Sequence, residues 1–168
     1  MLGERNRVFQ DWIGAHKAIL FKVARVYGAT HSDREDLFQE IALQVWHSVE
    51  AWRGDCAATT WIYRVALNTA LAWRRKERRH SQGRQDIDAA TALLIAPSGR
   101  DPRLEWIYQR IAELDEGSRA LALLMLDGFS YREMSQILGI GESNVGMKIN
   151  RIKASLAAQL AKEERDGL

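Results

Sequence analysis

The side chains whose types and spacing suggest chemistry form three polar groups along this chain of 168 residues. One group is acidic, a second combines cations with tryptophan, and a third combines amides with cations. The opposite charges of the first two groups suggest two different partners, and in the second group cations hold phosphates and indoles stack on exposed bases. Amide and cationic groups on one helix face suit the reading of base edges in the major groove. All three groups indicate binding.

The acidic group lies in residues 32–49, which have the spacing of an amphipathic helix. The apolar stripe of this helix consists of Leu37, Phe38, Ile41, Val45, Trp46 and Val49. The polar residues off the stripe are Asp33, Asp36, Gln39 and Glu40. Ser32 and Glu35 have the spacing of a capping box, which predicts that the helix begins there.

The second group follows a polar loop at residues 52–59, whose threonines can cap the next helix. That helix is predicted to start near Trp61 and to carry Asn68 and Trp73 before a basic run. Six Lys or Arg residues lie between Arg74 and Arg84, a pattern that suits nucleic acid. The alternative is a solvated helix end with Trp61 in the core.

The third group belongs to a helix-turn-helix pattern at residues 128–156. Ser130 is predicted to cap a helix over 131–138, and a glycine turn at 139–141 precedes a helix over 142–161. The core side of the last helix is predicted to be Val145, Ile149, Ile152 and Leu156. Its exposed side is predicted to be Ser143, Asn144, Met147, Lys148 and Arg151. The alternative is an ordinary helical hairpin with a solvated face.

Four further segments complete the organisation. Residues 4–28 have a helical stripe on which His16 is expected to pack rather than to bind a ligand. Two short helices are predicted, one marked by Leu104, Ile107, Ile111 and Leu114 and one over 118–126. Residues 80–102 hold both prolines and read as a linker, in which 89–95 is either a contact sequence or a short docking helix.

These patterns predict an all-α fold of two small helical domains. A three-to-four-helix N-terminal bundle would occupy residues 1–80, a flexible linker 81–102, and a C-terminal helix-turn-helix domain 103–168. The net charge of +2 excludes a generic polycation, so the basic charge is local.

Composition and spacing argue against an enzyme. The four histidines and the lone Cys56 lack metal-ligand spacing, and neither a phosphate-binding glycine loop nor a nucleophile with its base is present. We therefore expect no cofactor and no metal. The N-terminus lacks an apolar signal core, and no stretch reaches the ~20 apolar residues of a membrane span. A reducing, cytoplasmic location is expected.

Two runs of residues resemble a known family. DREDLFQEIALQVW, WRGD and TWIYRVALNTAL, in this order, look like the second conserved region of bacterial sigma factors of the small extracytoplasmic-function (ECF) group. Gly-x-Ser-Tyr-x-Glu-x-x-x-Ile-Leu-Gly-Ile is similar to the fourth conserved region, which reads the minus-thirty-five promoter element. The chain departs from the family at Gly141, where proline is frequent, and at Gly146, where a basic residue is common.

The resemblance implies a promoter-specificity subunit of bacterial RNA polymerase, with core polymerase (β′ clamp and β flap), promoter DNA and an anti-sigma factor as partners. It assigns core polymerase binding to Asp36, Gln39 and Glu40. It assigns the minus-ten element to Gly54, Asp55, Cys56, Ala57, Ala58, Thr59, Asn68, Trp73, Arg74 and Arg75. It assigns the minus-thirty-five element to Ser143, Asn144, Met147, Lys148 and Arg151. The alternative is a free-standing helix-turn-helix repressor with an N-terminal dimerisation or sensing domain, which leaves the acidic and tryptophan-bearing faces unexplained.

Overall fold

A computed structural model describes residues 1–80 and 101–167 of the chain. Within these ranges the chain forms helices and no strand, so the all-α prediction is confirmed. The helices are α1 (Leu2–Tyr27), α2 (His31–Ser48), α3 (Ala58–His80), α4 (Pro102–Ala112), α5 (Glu116–Leu126), α6 (Tyr131–Leu138) and α7 (Glu142–Asp166), with a 3-10 helix, Val49–Ala51, after α2. The chain divides into two compact units, Met1–Glu105 and Trp106–Leu168. The segment 89–95, predicted to be either a contact sequence or a short docking helix, lies outside the described residues.

The first unit is a bundle in which α1, α2 and α3 all pack against one another. Each helix has one apolar stripe, and burial of three stripes against each other removes them from water. The buried side chains include Leu20, Val23, Tyr27, Leu37, Ile41, Val45, Ile62, Tyr63, Ala66 and Leu67. His16 is half-buried on α1, in line with the packing expected from its place on the stripe.

The cap of α2 differs from the prediction. The helix begins at His31, and the Thr30 hydroxyl accepts a hydrogen bond from the Asp33 N–H at 3.0 Å. The Asp33 carboxylate accepts in return from the Thr30 N–H at 3.3 Å. The predicted capping box of Ser32 and Glu35 is therefore wrong. Thr30 has the extended backbone that an N-cap requires, with φ −108° and ψ 167°, whereas Ser32 is already helical.

Gly28 is the C-cap of α1 and lies in close contact with the start of α2. Its φ of −85° is open to any residue, so its dihedral angles do not require glycine. A Cβ atom there would lie 2.7 Å from Arg34 Cγ and 2.9 Å from both the Arg34 nitrogen and the Ala24 oxygen. Arg34 Nε donates to the Gly28 carbonyl at 3.1 Å. Burial, followed by the charge of Arg25, lowers the pKa of Arg34. This close approach brings α2 against the end of α1.

Helix α3 begins at Ala58, three residues before the predicted start near Trp61. Thr59 and Thr60 lie inside the first turn, so the prediction that threonines cap this helix is wrong. Thr60, in the first turn of the helix, is buried at 7% exposure. The loop before α3 is consequently limited to residues 52–57.

The second unit packs α5 and α6 against α7. Its buried side chains include Ile111, Leu121, Leu123, Leu124, Met134, Ile137, Val145, Ile149 and Ile152. Helix α4 ends at Ala112, so the prediction that Leu114 belongs to this helix is wrong. Helix α7 continues five residues past its predicted end at 161.

The helix-turn-helix prediction is confirmed in its local detail. Ser130 is the N-cap of α6, with its hydroxyl 3.1 Å from the Glu133 nitrogen and its own nitrogen 2.7 Å from the Glu133 carboxylate. Gly139 ends α6 at φ 70°, a left-handed conformation that glycine adopts without strain. Helix α7 then begins at Glu142.

Candidate functional site

One candidate surface is the polar face of α2. Asp36 and Gln39 are exposed, while Glu40 is half-buried and accepts a hydrogen bond from Gln44 Nε2 at 3.0 Å. Leu43 lies on the same side, seven residues or about two turns after Asp36, and is 48% exposed. Leu43 is not among the residues predicted for this face, although its spacing from Asp36 and Glu40 could have identified it. The face therefore has an apolar residue among polar ones, an arrangement typical of protein interfaces.

A second candidate surface begins at the loop between the 3-10 helix and α3. Gly54 and Asp55 are exposed, and Gly54 has φ +80°, which favours glycine. Cys56 is half-buried and Ala57 is exposed. The predicted loop set is divided, because Ala58 and Thr59 belong to the first turn of α3 and are half-buried.

The residues predicted on α3 lie on two different faces. Asn68 and Arg75 are exposed and seven residues apart, so they share a face. Trp73 is half-buried and five residues after Asn68, which turns it about 140° away at 100° per residue. Arg74 is also half-buried. Asn68 and Arg75 thus form one exposed polar strip, and Trp73 faces a different direction.

Trp61 is explained by packing within the bundle. Its ring is half-buried and its indole N–H donates to the Ser48 hydroxyl at 3.0 Å. Ser48 in turn donates to the Val45 carbonyl at 2.8 Å. These bonds connect the start of α3 to the end of α2, so the alternative in which Trp61 belongs to the core agrees with the structure.

A third candidate surface is the side of α7 that faces away from the core. Ser143, Asn144, Met147 and Arg151 are exposed, and Met147 reaches 56% exposure. Lys148 is half-buried on this side. The opposite side of the helix is the predicted core side, in which three of the four residues are buried and Leu156 is half-buried.

Lys148 lies close enough to Asp115, the N-cap of α5, for its positive charge to lower the pKa of that carboxyl group. The hydrogen bond from the Ser118 side chain is the main cause that lowers the pKa of Asp115. The Ser118 backbone N–H also donates to Asp115, at 3.1 Å, and the Lys148 charge adds a smaller lowering. Lys148 is thus an electrostatic neighbour of a helix cap as well as a candidate contact for DNA.

The N-terminus of α7 has no side-chain cap. Its N-cap is Gly141, whereas α6 is capped by Ser130. The first N–H groups of a helix require acceptors, and a phosphate at the helix N-terminus supplies them. Gly146, one turn further on, faces α6, since a Cβ there would lie 3.5 Å from the Tyr131 ring.

Among residues 1–80 and 101–167, none of the helices is long and apolar enough to cross a membrane. The same part of the chain contains no group of three or more His, Cys, Asp or Glu side chains arranged to hold a metal ion.

Comparison with protein families gives two matches in separate parts of the chain. Residues 12–80 match Sigma-70 region 2, and residues 104–156 match Sigma-70, region 4. The first match contains the polar face of α2, the loop and α3, and the second contains the helix-turn-helix.

Known relatives are similar over most of the chain. It is 29% identical over 160 residues to RNA polymerase sigma factor NccH of Alcaligenes xylosoxydans xylosoxydans, which covers 90% of this chain and 86% of the relative. It is 29% identical over 142 residues to the ECF RNA polymerase sigma-E factor of Escherichia coli strain K12, covering 74% and 72%. A co-crystal structure of the sigma factor RpoE with the anti-sigma factor NepR from Bartonella quintana has the same fold, with a TM-score of 0.77, 20% identity and coverage of 92% and 98%.

Proposed function

The chain belongs to the ECF group of the sigma-70 family and acts in promoter-specific transcription initiation as a non-enzymatic subunit; we propose which partner each of its exposed surfaces binds. The free-standing repressor is not favoured, because the region 2 match accounts for the N-terminal half that a repressor leaves unexplained. Sigma factors bind core RNA polymerase and promoter DNA, so each exposed polar surface has a candidate partner.

The polar face of α2 would dock on the β′ clamp of core polymerase. Asp36 and Gln39 are exposed on a helix whose other side buries Leu37, Ile41 and Val45 in the bundle core. Glu40 is oriented by its hydrogen bond with Gln44, and Leu43 supplies an apolar contact among the polar groups. A buried apolar centre with a polar rim is the usual anatomy of a specific protein interface. The β flap would be a second contact of the polymerase with this chain.

The loop and the exposed strip of α3 would bind the non-template strand of the minus-ten element. The loop at residues 54–57 combines small side chains with a positive φ at Gly54, which leaves room for an unstacked base. Asn68 and Arg75 would follow the strand along α3, with Trp73 and Arg74 at the flanks of that strip. Opening a duplex costs a few kcal/mol per unstacked base, and base capture with phosphate neutralisation would offset that cost.

The exposed side of α7 would lie in the major groove of the minus-thirty-five element. Arg151 suits guanine and Asn144 suits adenine, because each can form two hydrogen bonds to the base edge. The N–H groups near Ser143 suit a phosphate, since α7 has no side-chain cap. Met147 offers an apolar contact, and Lys148 either a phosphate or a base contact.

An anti-sigma factor would compete with these partners. The similar RpoE structure is a complex with the anti-sigma factor NepR, which supports this class of partner for the present chain. Such a protein would prevent initiation if it covered the polar face of α2 or the exposed side of α7. The cytoplasm is the compartment that follows from this function, because the polymerase and the chromosome are there.

The observation on which the docking proposal depends is the exposure of Asp36 and Gln39 opposite a buried stripe. The test is Asp36→Lys, measured as binding of the full chain to bacterial core polymerase by fluorescence titration. We expect a loss of about 1–3 kcal/mol, or roughly 5- to 150-fold in Kd, because a charge is reversed in the interface.

The matched control is Asp11→Lys, which makes the same change of charge at an exposed position of α1. It should leave the Kd within about twofold, since it acts only through the screened net charge. An equal effect of the two substitutions would mean that net charge, and not this face, controls binding. An Asp36→Lys protein with unchanged Kd would remove α2 from the interface.

A further inference from the structure

The side chain of Trp52 connects the two ends of the loop before α3. Trp52 is not among the residues proposed above to bind the minus-ten element. The Trp52 indole N–H donates to the Cys56 carbonyl at 3.2 Å, across the residues between them. The indole ring meets Trp12 edge to face, with centroids 5.2 Å apart and an interplanar angle of 81°. Trp12 is buried in α1. The side chain therefore joins the loop backbone to the rigid bundle.

The backbone of Trp52 is also held by hydrogen bonds. Its N–H donates to the carbonyl of Ser48, the last residue of α2, and to that of Val49, the first residue of the 3-10 helix, each with a nitrogen–oxygen distance of 3.3 Å. After Trp52 the chain passes through Gly54 at φ +80° and reaches Cys56, whose carbonyl accepts the hydrogen bond from the Trp52 indole N–H. The exposed part of the loop thus has a shape that protein contacts define before any DNA binds.

We propose that Trp52 is a positioning residue for minus-ten recognition: its indole N–H holds the Cys56 carbonyl, and with it the loop backbone, in the shape that receives the unstacked base. The inference rests on the proposed function of the loop. A loop held in one shape fits one base better than the others, whereas a loop released from Trp52 can re-pack around different bases. Release of the loop should therefore weaken the distinction between bases.

The test is the Trp52→Phe variant, which keeps an aromatic ring against Trp12 and removes the N–H donor. The holoenzyme is titrated with pre-melted promoter templates that carry each of the four bases at every non-template position of the minus-ten bubble. We expect the ratio of Kd values between the preferred and the disfavoured base to fall about fivefold at the position read by the loop, which corresponds to one hydrogen bond. Base preference at the minus-thirty-five element should be unchanged.

The matched control is Trp46→Phe, which removes a comparable indole hydrogen bond, to Asn6 Oδ1 at 2.8 Å, elsewhere in the same unit. It should leave the base ratios unchanged. If Trp52→Phe loses cooperative thermal unfolding, 3-benzothienylalanine at position 52 replaces it, because sulfur takes the place of the N–H in a ring of the same shape.

A third variant, Gly54→Ala, separates this inference from the assignment of the loop, since it strains the positive φ of the loop and leaves the Trp52 bond possible. Loss of base discrimination in both Gly54→Ala and Trp52→Phe supports the inference. Loss in Gly54→Ala alone overturns the role of Trp52 and leaves the loop as the reader. Unchanged ratios in both variants overturn the role of the loop and the inference with it. A Trp52→Phe protein that weakens binding to all four bases alike has a structural defect only, and this result also overturns the inference.

Discussion

The substitutions Gly28→Ala and Gly14→Ala should have opposite effects on the first unit, the former lowering and the latter raising its stability. At Gly28 the added Cβ would meet Arg34 Cγ at 2.7 Å and two backbone atoms at 2.9 Å, and backbone atoms cannot rotate away. Overpacking of this kind costs about 1–3 kcal/mol. Reduced freedom of the unfolded chain offsets about 0.4–1 kcal/mol, because the φ of Gly28 is accessible to alanine. We expect a net destabilisation of about 1–2 kcal/mol.

Gly14 provides the matched control within the same helix. It lies in the interior of α1, is exposed, and has no atom within 4 Å of a Cβ built on it. Alanine should therefore stabilise the unit by up to about 1 kcal/mol through helix propensity alone. The two variants have the same composition, so their difference of about 1–3 kcal/mol reports only the surroundings of the two positions.

Urea unfolding of the full chain, followed by tryptophan fluorescence, measures this difference. Five of the six tryptophans lie in the first unit, so the signal reports mainly on the bundle. The midpoint should decrease for Gly28→Ala and increase for Gly14→Ala, with unchanged slopes. A Gly28→Ala protein as stable as Gly14→Ala would refute the reasoning, because it would mean that Arg34 and the turn relax at no cost.

Two further predictions concern the α2 cap and the α7 surface. Because Thr30 is the N-cap of α2, Thr30→Ala should lower the free energy of unfolding of the first unit by about 1 kcal/mol, whereas Ser32→Ala should change this free energy by less than about 0.5 kcal/mol. The reverse order in urea unfolding would indicate that Ser32 is the cap. Arg151→Ala should cost about 1–3 kcal/mol at one base position of the minus-thirty-five element, whereas Lys148→Ala, if Lys148 contacts a phosphate, should weaken all sequences alike and reduce the salt slope by about one. A promoter library titrated with both holoenzymes over a salt series tests this, and unchanged preference and slope in both would exclude α7 as the reader.

Local spacing in the sequence was sufficient to predict the helices and the helix-turn-helix. The stripes of α1, α2 and α7 repeat at the helical period, and a face that is apolar at this period is buried in any compact helical fold. Ser130 with Glu133, and the glycine at 139, are signals within four residues of the helix ends that they determine. The exposure of Asp36 and of Arg151 follows from the same periodicity, because each lies off the stripe.

The tertiary structure decided the features that depend on residues distant in the sequence. Thr30 with Asp33 and Ser32 with Glu35 are overlapping candidates for the same cap, and Ser32 with Glu35 fits the local pattern better because its third residue is glutamate. The extended backbone of Thr30 selects between them.

The same holds for the loop and for α7. Trp52 acquires its position from Trp12, forty residues earlier, and the half-burial of Lys148 accompanies its approach to Asp115, thirty-three residues earlier. A helical period describes which way a side chain points, but it contains no information about the neighbour that the side chain will meet. Packing supplies that neighbour, and it therefore decides which cap forms, how the loop is held and which cation is partly withdrawn from solvent.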